Sequence, residues 1–457
     1  MYRWIVLFVL LYPLMIYRYD DPLFYFTYHI TGYDEIKSQY LWEFAALLCV
    51  VSSIRILMRK PLQPVDHSRV IWVLSGGFVL FVLLSSLFSV DPTLSLAGKS
   101  GRYEGLYTWA SYLCLLVFSY YFIAVRHMNV ILHAITWGSV PVCVYALLEH
   151  WHLIPLRNAN AVYQSRSSAF FSNPNFLGTY LMIVFLIALY LLLKARKRSV
   201  MTLLYVLIIM QFVSMLYTYT RSAWIAACIG FLALSFSVWK RRSHIRRWTA
   251  LSVLLLIALL AVQIWDPYPV LGRALSIAGE AGELLSENAG FAGSSRGYIW
   301  QETWPLIPNY AWLGSGPDTF HLVFPDDPVA KERYLGNASI VVDKAHHEWL
   351  HMIVTLGIPA WLIHMLLIFV PIFLILRTRK ESAASPSYPL ALILVLVILA
   401  YQLQAQMNIS VVTVSPFTYI LLGMLWRIAL QQYPSPHMFC LWQGKRREPD
   451  TTAAASS

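Results

Sequence analysis

The sequence has little charge: only 12% of its 457 residues are Asp, Glu, Lys or Arg, against about a quarter in a soluble domain. Hydrophobic residues make up 58% of the chain and fall in runs of about 20, the length of helix that crosses a bilayer. A soluble protein of this length would alternate apolar and polar stretches and divide into domains. The repetition of one kind of element predicts an all-α polytopic membrane protein instead.

Cysteine is scarce, and the spacing of the five cysteines resembles neither a metal site nor a disulfide framework. The chain also lacks a Walker-type phosphate loop. Asp and Glu are almost absent from the middle of the apolar runs, although ion-coupled transporters use such groups as relays. These absences argue against a coupled transporter but not against a lipid-flipping protein, and we expect no metal and no cofactor.

The net charge of +11 comes from short basic clusters between the apolar runs. Short loops rich in Lys and Arg are cytoplasmic in membrane proteins. We therefore predict cytoplasmic N- and C-termini, since this orientation puts every cluster in the cytoplasm, and we expect no nucleic-acid partner. The clusters are Arg55-Arg59-Lys60, Lys194-Arg196-Lys197-Arg198, Lys240-Arg241-Arg242-Arg246-Arg247, Arg377-Arg379-Lys380 and Lys445-Arg446-Arg447.

The apolar runs predict about 12 transmembrane helices. Helices 1–9 fall in residues 1–265 and helices 10–12 in 346–430, with a large extracytoplasmic loop at 266–345 and a cytoplasmic, disordered tail at 431–457. Short helices are expected in the loop at Ala274–Leu285 and Gly297–Leu306. The predicted spans are Trp4–Tyr17, Tyr40–Met58, Val70–Val90, Leu106–Val125, Val130–His150, Phe176–Leu193, Met201–Tyr217, Ser222–Trp239, Leu251–Trp265, Trp349–Leu376, Leu390–Gln406 and Val411–Leu430.

Isolated arginines occur on the predicted extracytoplasmic side, at Arg102, Arg166, Arg221 and Arg296. The basic clusters that flank Arg221 leave room for two crossings, which puts Arg221 on a tight hairpin at the outer membrane surface. Any one of these arginines has a simple explanation as an anchor to lipid headgroups. Several of them facing one cavity would suit a pyrophosphate, because the guanidinium fork binds phosphate oxygens bidentately and keeps its charge.

A pair of histidines, His346 and His347, lies where the large loop re-enters the membrane. Imidazole is the usual general base near neutral pH. His347 and His351 are four residues apart and would share one helix face, which also suits a metal. No further ligands accompany them, so histidines that face the membrane interface are the better interpretation of that spacing.

Several short motifs follow one another along most of the chain: Phe171-Ser172-Asn173-Pro174-Asn175-Phe176-Leu177-Gly178, Thr220-Arg221-Ser222-Ala223-Trp224, Ser295-Arg296 with Trp300, Leu313-Gly314-Ser315-Gly316-Pro317, and Ala345-His346-His347-Glu348-Trp349-Leu350 with Gly357. Their order and the predicted topology resemble the O-antigen ligase superfamily, which includes O-antigen ligases, Wzy-type polymerases and related oligosaccharyltransferases. The resemblance implies a GT-C-type membrane glycosyltransferase. Such an enzyme transfers a glycan from an undecaprenyl pyrophosphate carrier to a glycan, lipid or protein acceptor, outside the cytoplasmic membrane and without a metal.

The resemblance also implies roles for residues at the motif positions. Arg221 and Arg296 would hold the pyrophosphate, and His346 would activate the acceptor hydroxyl. The family commonly has Asn after that histidine, where this chain has His347, so the base is His346 by register but His347 stays open. Direct displacement at the sugar would invert its configuration. Further candidates for substrate binding are Arg102, Arg166, Asn175, His347 and Glu348.

The sequence is compatible with other functions. A Wzy-type polymerase would share the donor and differ in the acceptor, which the sequence does not identify. A flippase or exporter of polyprenyl-linked glycans would use a similar basic cavity without an essential histidine, and a structural subunit would tolerate lysine at the arginine positions. The length of the predicted loop favours an enzyme, because loops this long are usually functional when they are structured.

Overall fold

A computed structural model describes residues 1–16, 32–58, 69–154, 166–239, 242–266, 270–283, 289–378 and 385–432. Helices dominate these residues, and no strand occurs among them. Within the same ranges, nine helices are long and apolar enough to cross a membrane, and shorter apolar helices lie at Tyr2–Leu14 and Leu106–Phe122. The prediction of an all-α polytopic membrane protein is confirmed. The predicted tail at 431–457 lies almost wholly outside the described residues.

The helices follow one another along the chain with few long connections. The first ten are α1 (Tyr2–Leu11), α2 (Gly32–Leu57), α3 (Arg69–Leu87), α4 (Pro92–Ala97), α5 (Leu106–Phe122), α6 (Val125–His150), α7 (Pro174–Lys194), α8 (Arg198–Tyr217), α9 (Arg221–Trp239) and α10 (Arg242–Trp265). The others are α11 (Val270–Glu283), α12 (Ala292–Thr303), α13 (Ile307–Tyr310), α14 (Phe320–Val323), α15 (Pro328–Leu335), α16 (Glu348–Leu356), α17 (Ile358–Arg377), α18 (Tyr388–Ala405) and α19 (Ser415–Gln432).

The centre of the bundle is α7, which is apolar on every side and buried along almost its whole length. A helix that is hydrophobic all round belongs in the interior of a bundle. It packs against α6, α8, α9 and α18. Its start is fixed by Asn173, whose side chain accepts the backbone N–H of Asn175, with Pro174 at the first helical position.

The two ends of the bundle differ in charge. Residues 270–283 and 289–347 gather at one end, here called the loop end. Described members of the basic clusters, such as Lys194, Arg247 and Arg377, lie at the opposite end, where Arg247 Nη1 donates to the carbonyl of Ala195 at 2.7 Å. The rule that basic loops stay in the cytoplasm requires such a separation. That the loop end is extracytoplasmic stays a prediction.

The loop end contains more helix than the sequence predicts. The expected helix at Ala274–Leu285 is α11, which begins four residues earlier, and the one expected at Gly297–Leu306 is α12 with a following 3-10 turn at Trp304–Leu306. The short helices α13, α14 and α15 were not predicted. Asp327 caps α15 by accepting the N–H groups of Val329 and Ala330, which gives this eight-residue helix a defined start.

The prediction of one continuous span from Trp349 to Leu376 is wrong. The chain breaks at Gly357 into α16 and α17, with φ 86 and ψ 161 at that residue, a conformation open mainly to glycine. The break lets Ile358 N donate to the carbonyl of Ala311 at 2.7 Å. A Cβ at Gly357 would lie 2.3 Å from the carbonyl oxygen of Trp312. The apolar run continues through the break, so hydropathy did not reveal it.

Replacing Gly357 by Ala should therefore lower the free energy of unfolding by at least about 1–3 kcal/mol, from the disallowed φ alone, with the clash against Trp312 added. Gly76→Ala on α3 is the matched control, because nothing lies within 4 Å of a Cβ there, and alanine favours a helix. Thermal unfolding of both variants in one detergent measures the difference. Equal midpoints would contradict the close approach at Gly357.

Candidate active site

A cavity of about 230 Å³ opens at the loop end. It lies between the start of α12 and the chain that leads from α15 to the histidine pair. The cavity joins a charged wall to an aliphatic one, so it is suited to a ligand that carries both an anionic group and apolar surface. Its polar lining is Ser294, Arg296, Asp343 and His346, and its aliphatic lining is Ile299, Leu335, Ile340, Val341 and Val342.

Arg296 reaches the cavity through an unusual helix start. Gly293, Ser294 and Ser295 have φ between 59 and 66, the left-handed region that residues other than glycine seldom adopt. The regular turns of α12 follow from Arg296 onward. Ser295 Oγ donates to the carbonyl of Tyr334 at 2.5 Å, which ties this turn to α15. Such outliers persist only where the surroundings enforce them, and they are frequent at functional sites.

Arg221 is connected to the same cavity through one hydroxyl group. As predicted, it follows a tight hairpin, because α8 ends at Tyr217 and α9 begins at Arg221. Its Nη1 donates to Ser276 Oγ in α11 at 2.9 Å, and its Nη2 donates to Ser294 Oγ at 2.9 Å. Since Ser294 lines the cavity, the structure brings the two predicted arginines to one site.

His346 is the histidine that lines the cavity, and its φ is 50. Trp300 Nε1 donates to the carbonyl of Ala345 at 3.0 Å and so fixes the adjoining backbone. Burial, followed by the charge of Arg296, lowers the pKa of His346 to about 3, which keeps the imidazole neutral at pH 7. Its Nδ1 is buried without a hydrogen-bond partner in the described part of the chain. A neutral imidazole is able to take a proton.

His347 and Glu348 serve the backbone instead. His347 Nδ1 accepts the N–H of Leu350 at 3.3 Å and caps α16, and its ring stands edge-on to Trp300 with the centroids 5.6 Å apart. Glu348 Oε2 accepts the N–H of Ser410 at 2.7 Å, which holds the connection between α18 and α19. Neither residue lines the cavity. The structure therefore gives the two neighbouring histidines different surroundings.

Arg102 is connected to the cavity through Asp343, a residue that the sequence analysis did not identify. Arg102 Nε lies 2.7 Å from Asp343 Oδ2, and Nη2 lies 3.4 Å from Oδ1, a bidentate pair. Although burial raises the pKa of Asp343, the charges of Arg102 and Lys344 outweigh it and hold that pKa well below its usual range. Asp343 is therefore ionised, and Arg102 supplies its counter-charge.

A buried ion triad lies next to that pair. Lys344 Nζ is 2.9 Å from Glu104 Oε2 and 2.8 Å from Asp318 Oδ1, and the lysine side chain is 1% exposed. Burial lowers the pKa of Lys344, but the two carboxylates overcome this effect and raise it above its ordinary value. Asp318 Oδ2 also accepts the N–H groups of Lys99 and Glu104. The triad joins residues 98–105 and the turn at Asp318 to the segment that precedes His346.

Arg166 and Asn175 lie together behind the hairpin and not in the cavity wall. Arg166 Nε donates to the carbonyl of Thr218 at 2.8 Å, and its Nη2 donates to Asn175 Oδ1 at 2.8 Å. Thr220 Oγ1 donates to Asn175 Oδ1 at 3.2 Å. These contacts hold the turn before Arg221 against the start of α7. The substrate-binding role predicted for both residues stays a prediction.

The described residues contain no group of three or more His, Cys, Asp and Glu side chains that would hold a metal ion. His351 packs against the ring of Phe320, and the ring centroids are 5.2 Å apart. The sequence suggests that His351 and His347, four residues apart, could form a metal-binding pair. His347 precedes α16 as its cap, so the two histidines do not share a helix face in the predicted way.

A family model described as O-antigen ligase matches residues 206–365. These residues are thus similar to O-antigen ligases, and they are here called the O-antigen ligase domain. This finding confirms the resemblance that the motifs indicated, and the O-antigen ligase domain contains every residue that lines the cavity, together with Arg221. It supports a membrane glycan-processing activity of the ligase or polymerase kind. Arg102, Arg166 and Asn175 lie before the O-antigen ligase domain in the sequence. No curated protein matches the chain significantly.

Replacing Lys344 by Met should destabilise the protein by about 3–5 kcal/mol, because Glu104 and Asp318 then stay buried without the ammonium group that pairs with both. Adding Glu104→Gln and Asp318→Asn to the same chain should restore most of the loss, since the triad is then neutral throughout. Thermal unfolding in detergent of the single and triple variants measures both effects. A single variant as stable as the wild type would show that the triad does not hold these segments together.

Proposed function

We propose that the chain is a membrane glycosyltransferase that moves a glycan from an undecaprenyl pyrophosphate carrier to an acceptor on the extracytoplasmic face. One observation carries the proposal: Arg296 and a neutral His346 line one cavity, to which Arg221 is connected through Ser294. The O-antigen ligase domain at 206–365 supports the same class of activity. The acceptor is a glycan, a lipid or a protein.

The chemistry needs positioning and charge stabilisation more than covalent catalysis, because a sugar pyrophosphate already carries a good leaving group. The acceptor oxygen forms a bond to the anomeric carbon while the bond from that carbon to the pyrophosphate oxygen breaks. His346 takes the proton of the acceptor hydroxyl. Arg221 and Arg296 stabilise the charge of the departing pyrophosphate, a task that elsewhere falls to a divalent cation. A single displacement of this kind inverts the anomeric configuration.

The ion pair beside the cavity supports this assignment of charges. Asp343 alone would repel a pyrophosphate, but its bidentate contact with Arg102 offsets the carboxylate charge. The excess positive charge at the cavity then comes from Arg296. Arg221 adds to it from nearby, since its Nη2 lies 2.9 Å from Ser294 Oγ in the cavity wall. In this proposal Arg102 is a positioning residue that contacts Asp343, and the arginines that contact the donor are Arg221 and Arg296.

The decisive experiment makes the same substitution at two neighbouring positions. The purified protein receives an undecaprenyl-pyrophosphate-linked glycan and an acceptor in the presence of excess chelator, and release of the carrier is measured. His346→Asn should lower the rate at least about 100-fold, since general base catalysis contributes at least that much. His347→Asn should keep most of the activity, because asparagine is a favoured N-cap and the cap is what His347 provides.

Each alternative predicts a different result in this assay. Loss of activity in His347→Asn with full activity in His346→Asn would assign the base to His347. Activity in neither variant nor wild type, together with movement of the intact lipid across vesicles, would indicate a flippase. Activity that needs an added divalent ion would contradict the metal-free mechanism. A ladder of products from one donor would identify a polymerase, and a single product would identify a ligase.

The pH dependence tests the state of His346 independently. Because the pKa of His346 is lowered to about 3, the neutral, proton-accepting form persists from pH 8 down to pH 5 and is lost only as the pH falls through that value. The value of kcat/KM reports the free enzyme, so it should stay level between pH 8 and pH 5. A decline with an apparent pKa near 6.5, the ordinary value for histidine, would contradict the burial of His346 beside Arg296.

A further inference from the structure

The helix α11 follows the membrane-spanning α10 and contacts the protein along one edge. Val270 is buried among Leu216, Tyr217, Tyr219 and Val262, at the end of α10 and the α8–α9 hairpin. Gln263 Oε1 accepts the N–H of Leu271 at 2.9 Å, which joins the first turn of α11 to the last turn of α10. The start of α11 is therefore held close to the level at which α10 leaves the bundle.

Two leucines on α11 are uncovered. Leu271 is 54% exposed and Leu275 is 66% exposed, and residues four apart in a helix share one face. The polar side of the same helix contacts the hairpin, where Arg273 Nε donates to the carbonyl of Tyr219 at 3.1 Å and Ser276 Oγ accepts from Arg221. The described side chains in the first half of α11 thus form a polar edge at the site and an apolar edge directed away from it.

The exposed leucines continue an apolar surface that begins on α10. Leu260, Ile264 and Trp265 are 51%, 73% and 74% exposed, and since α10 spans the membrane, lipid must cover them. Tryptophan is enriched where a membrane helix meets the headgroups, so Trp265 marks that level. Two leucines are far less than the roughly 800 Å² that each partner contributes to a stable protein interface. Lipid is therefore the occupant that this surface fits.

We propose that α11 lies on the bilayer surface with Leu271 and Leu275 inserted among the lipids, and that it holds Arg221 at the depth of the carrier's pyrophosphate. An amphipathic helix binds the interface through its apolar face. The contact from Ser276 to Arg221 connects that helix directly to the candidate donor site. The first half of the inference stands alone, and the second half rests on the proposed function.

The membrane contact is tested without any assay of activity. In a chain whose native cysteines are replaced by alanine, Leu275→Cys is labelled with bimane and reconstituted in lipids brominated in their acyl chains. The control is Val329→Cys, on α15, which is 78% exposed among the charged residues Asp326, Asp327, Lys331 and Glu332. The label at 275 should be quenched several-fold more strongly than the label at 329.

Equal quenching at the two positions would overturn the inference. The face could instead be covered by a second copy of the chain. In that case, quenching of the label at 275 would fall as the protein concentration rises and would not depend on lipid bromination. That result also overturns the inference, while leaving the proposed function untouched.

The link to the donor is tested with Leu275→Asp. Placing a charge in the interface should raise the KM for a full-length carrier in vesicles roughly tenfold, the effect of losing about 1.4 kcal/mol of apolar burial. The KM for a short-chain, water-soluble donor should not change, and neither should kcat. Val329→Asp is the matched control and should leave both KM values unaltered.

An equal rise of KM for both donors would mean that Leu275 acts by holding the site together and would overturn the link to the bilayer. An unchanged KM for the full-length carrier would also overturn it. If the proposed function itself is wrong, the wild type will release no carrier from either donor. That result differs from every outcome that concerns Leu275.

Discussion

The burial of a single ammonium group determines how the loop end is built. Lys344 is 1% exposed, and moving a charge out of water costs several kcal/mol unless partners accompany it. Those partners, Glu104 and Asp318, come from two separate segments. The three segments therefore depend on one another to pair their buried polar groups, and these contacts fix the backbone two residues before His346. The backbone of His346 itself is left-handed.

The sequence predicts the features that depend on composition and local order. The apolar character of α7 and the hairpin before Arg221 are both local, and the structure agrees with each. The break at Gly357 escaped prediction because its cause is the carbonyl of Trp312, which is distant in sequence. The pairing of Lys344 with Glu104 escaped it for the same reason, since the two residues are 240 positions apart.

His346 and His347 are adjacent in the sequence, but their backbone conformations direct their side chains to different places. His346 has φ 50, whereas His347 has φ −151 and the extended backbone of an N-cap. That change of conformation turns the first side chain toward the cavity and the second toward the start of α16. A cap requires only an acceptor for the N–H of Leu350, and asparagine supplies one as readily as histidine. Asparagine at position 347 would therefore preserve the cap of α16 and leave His346 in place.

In the proposed mechanism, the strength of His346 as a base depends on whether a donor is bound at Arg296. Burial, followed by the charge of Arg296, lowers the pKa of His346, so the free enzyme holds a neutral but weak base. A bound pyrophosphate would bring negative charge to Arg296, and a nearby negative charge favours the protonated form of an imidazole. The base therefore strengthens only when the donor is in place. Its protonated form then lies beside the departing pyrophosphate, where the developing negative charge stabilises it.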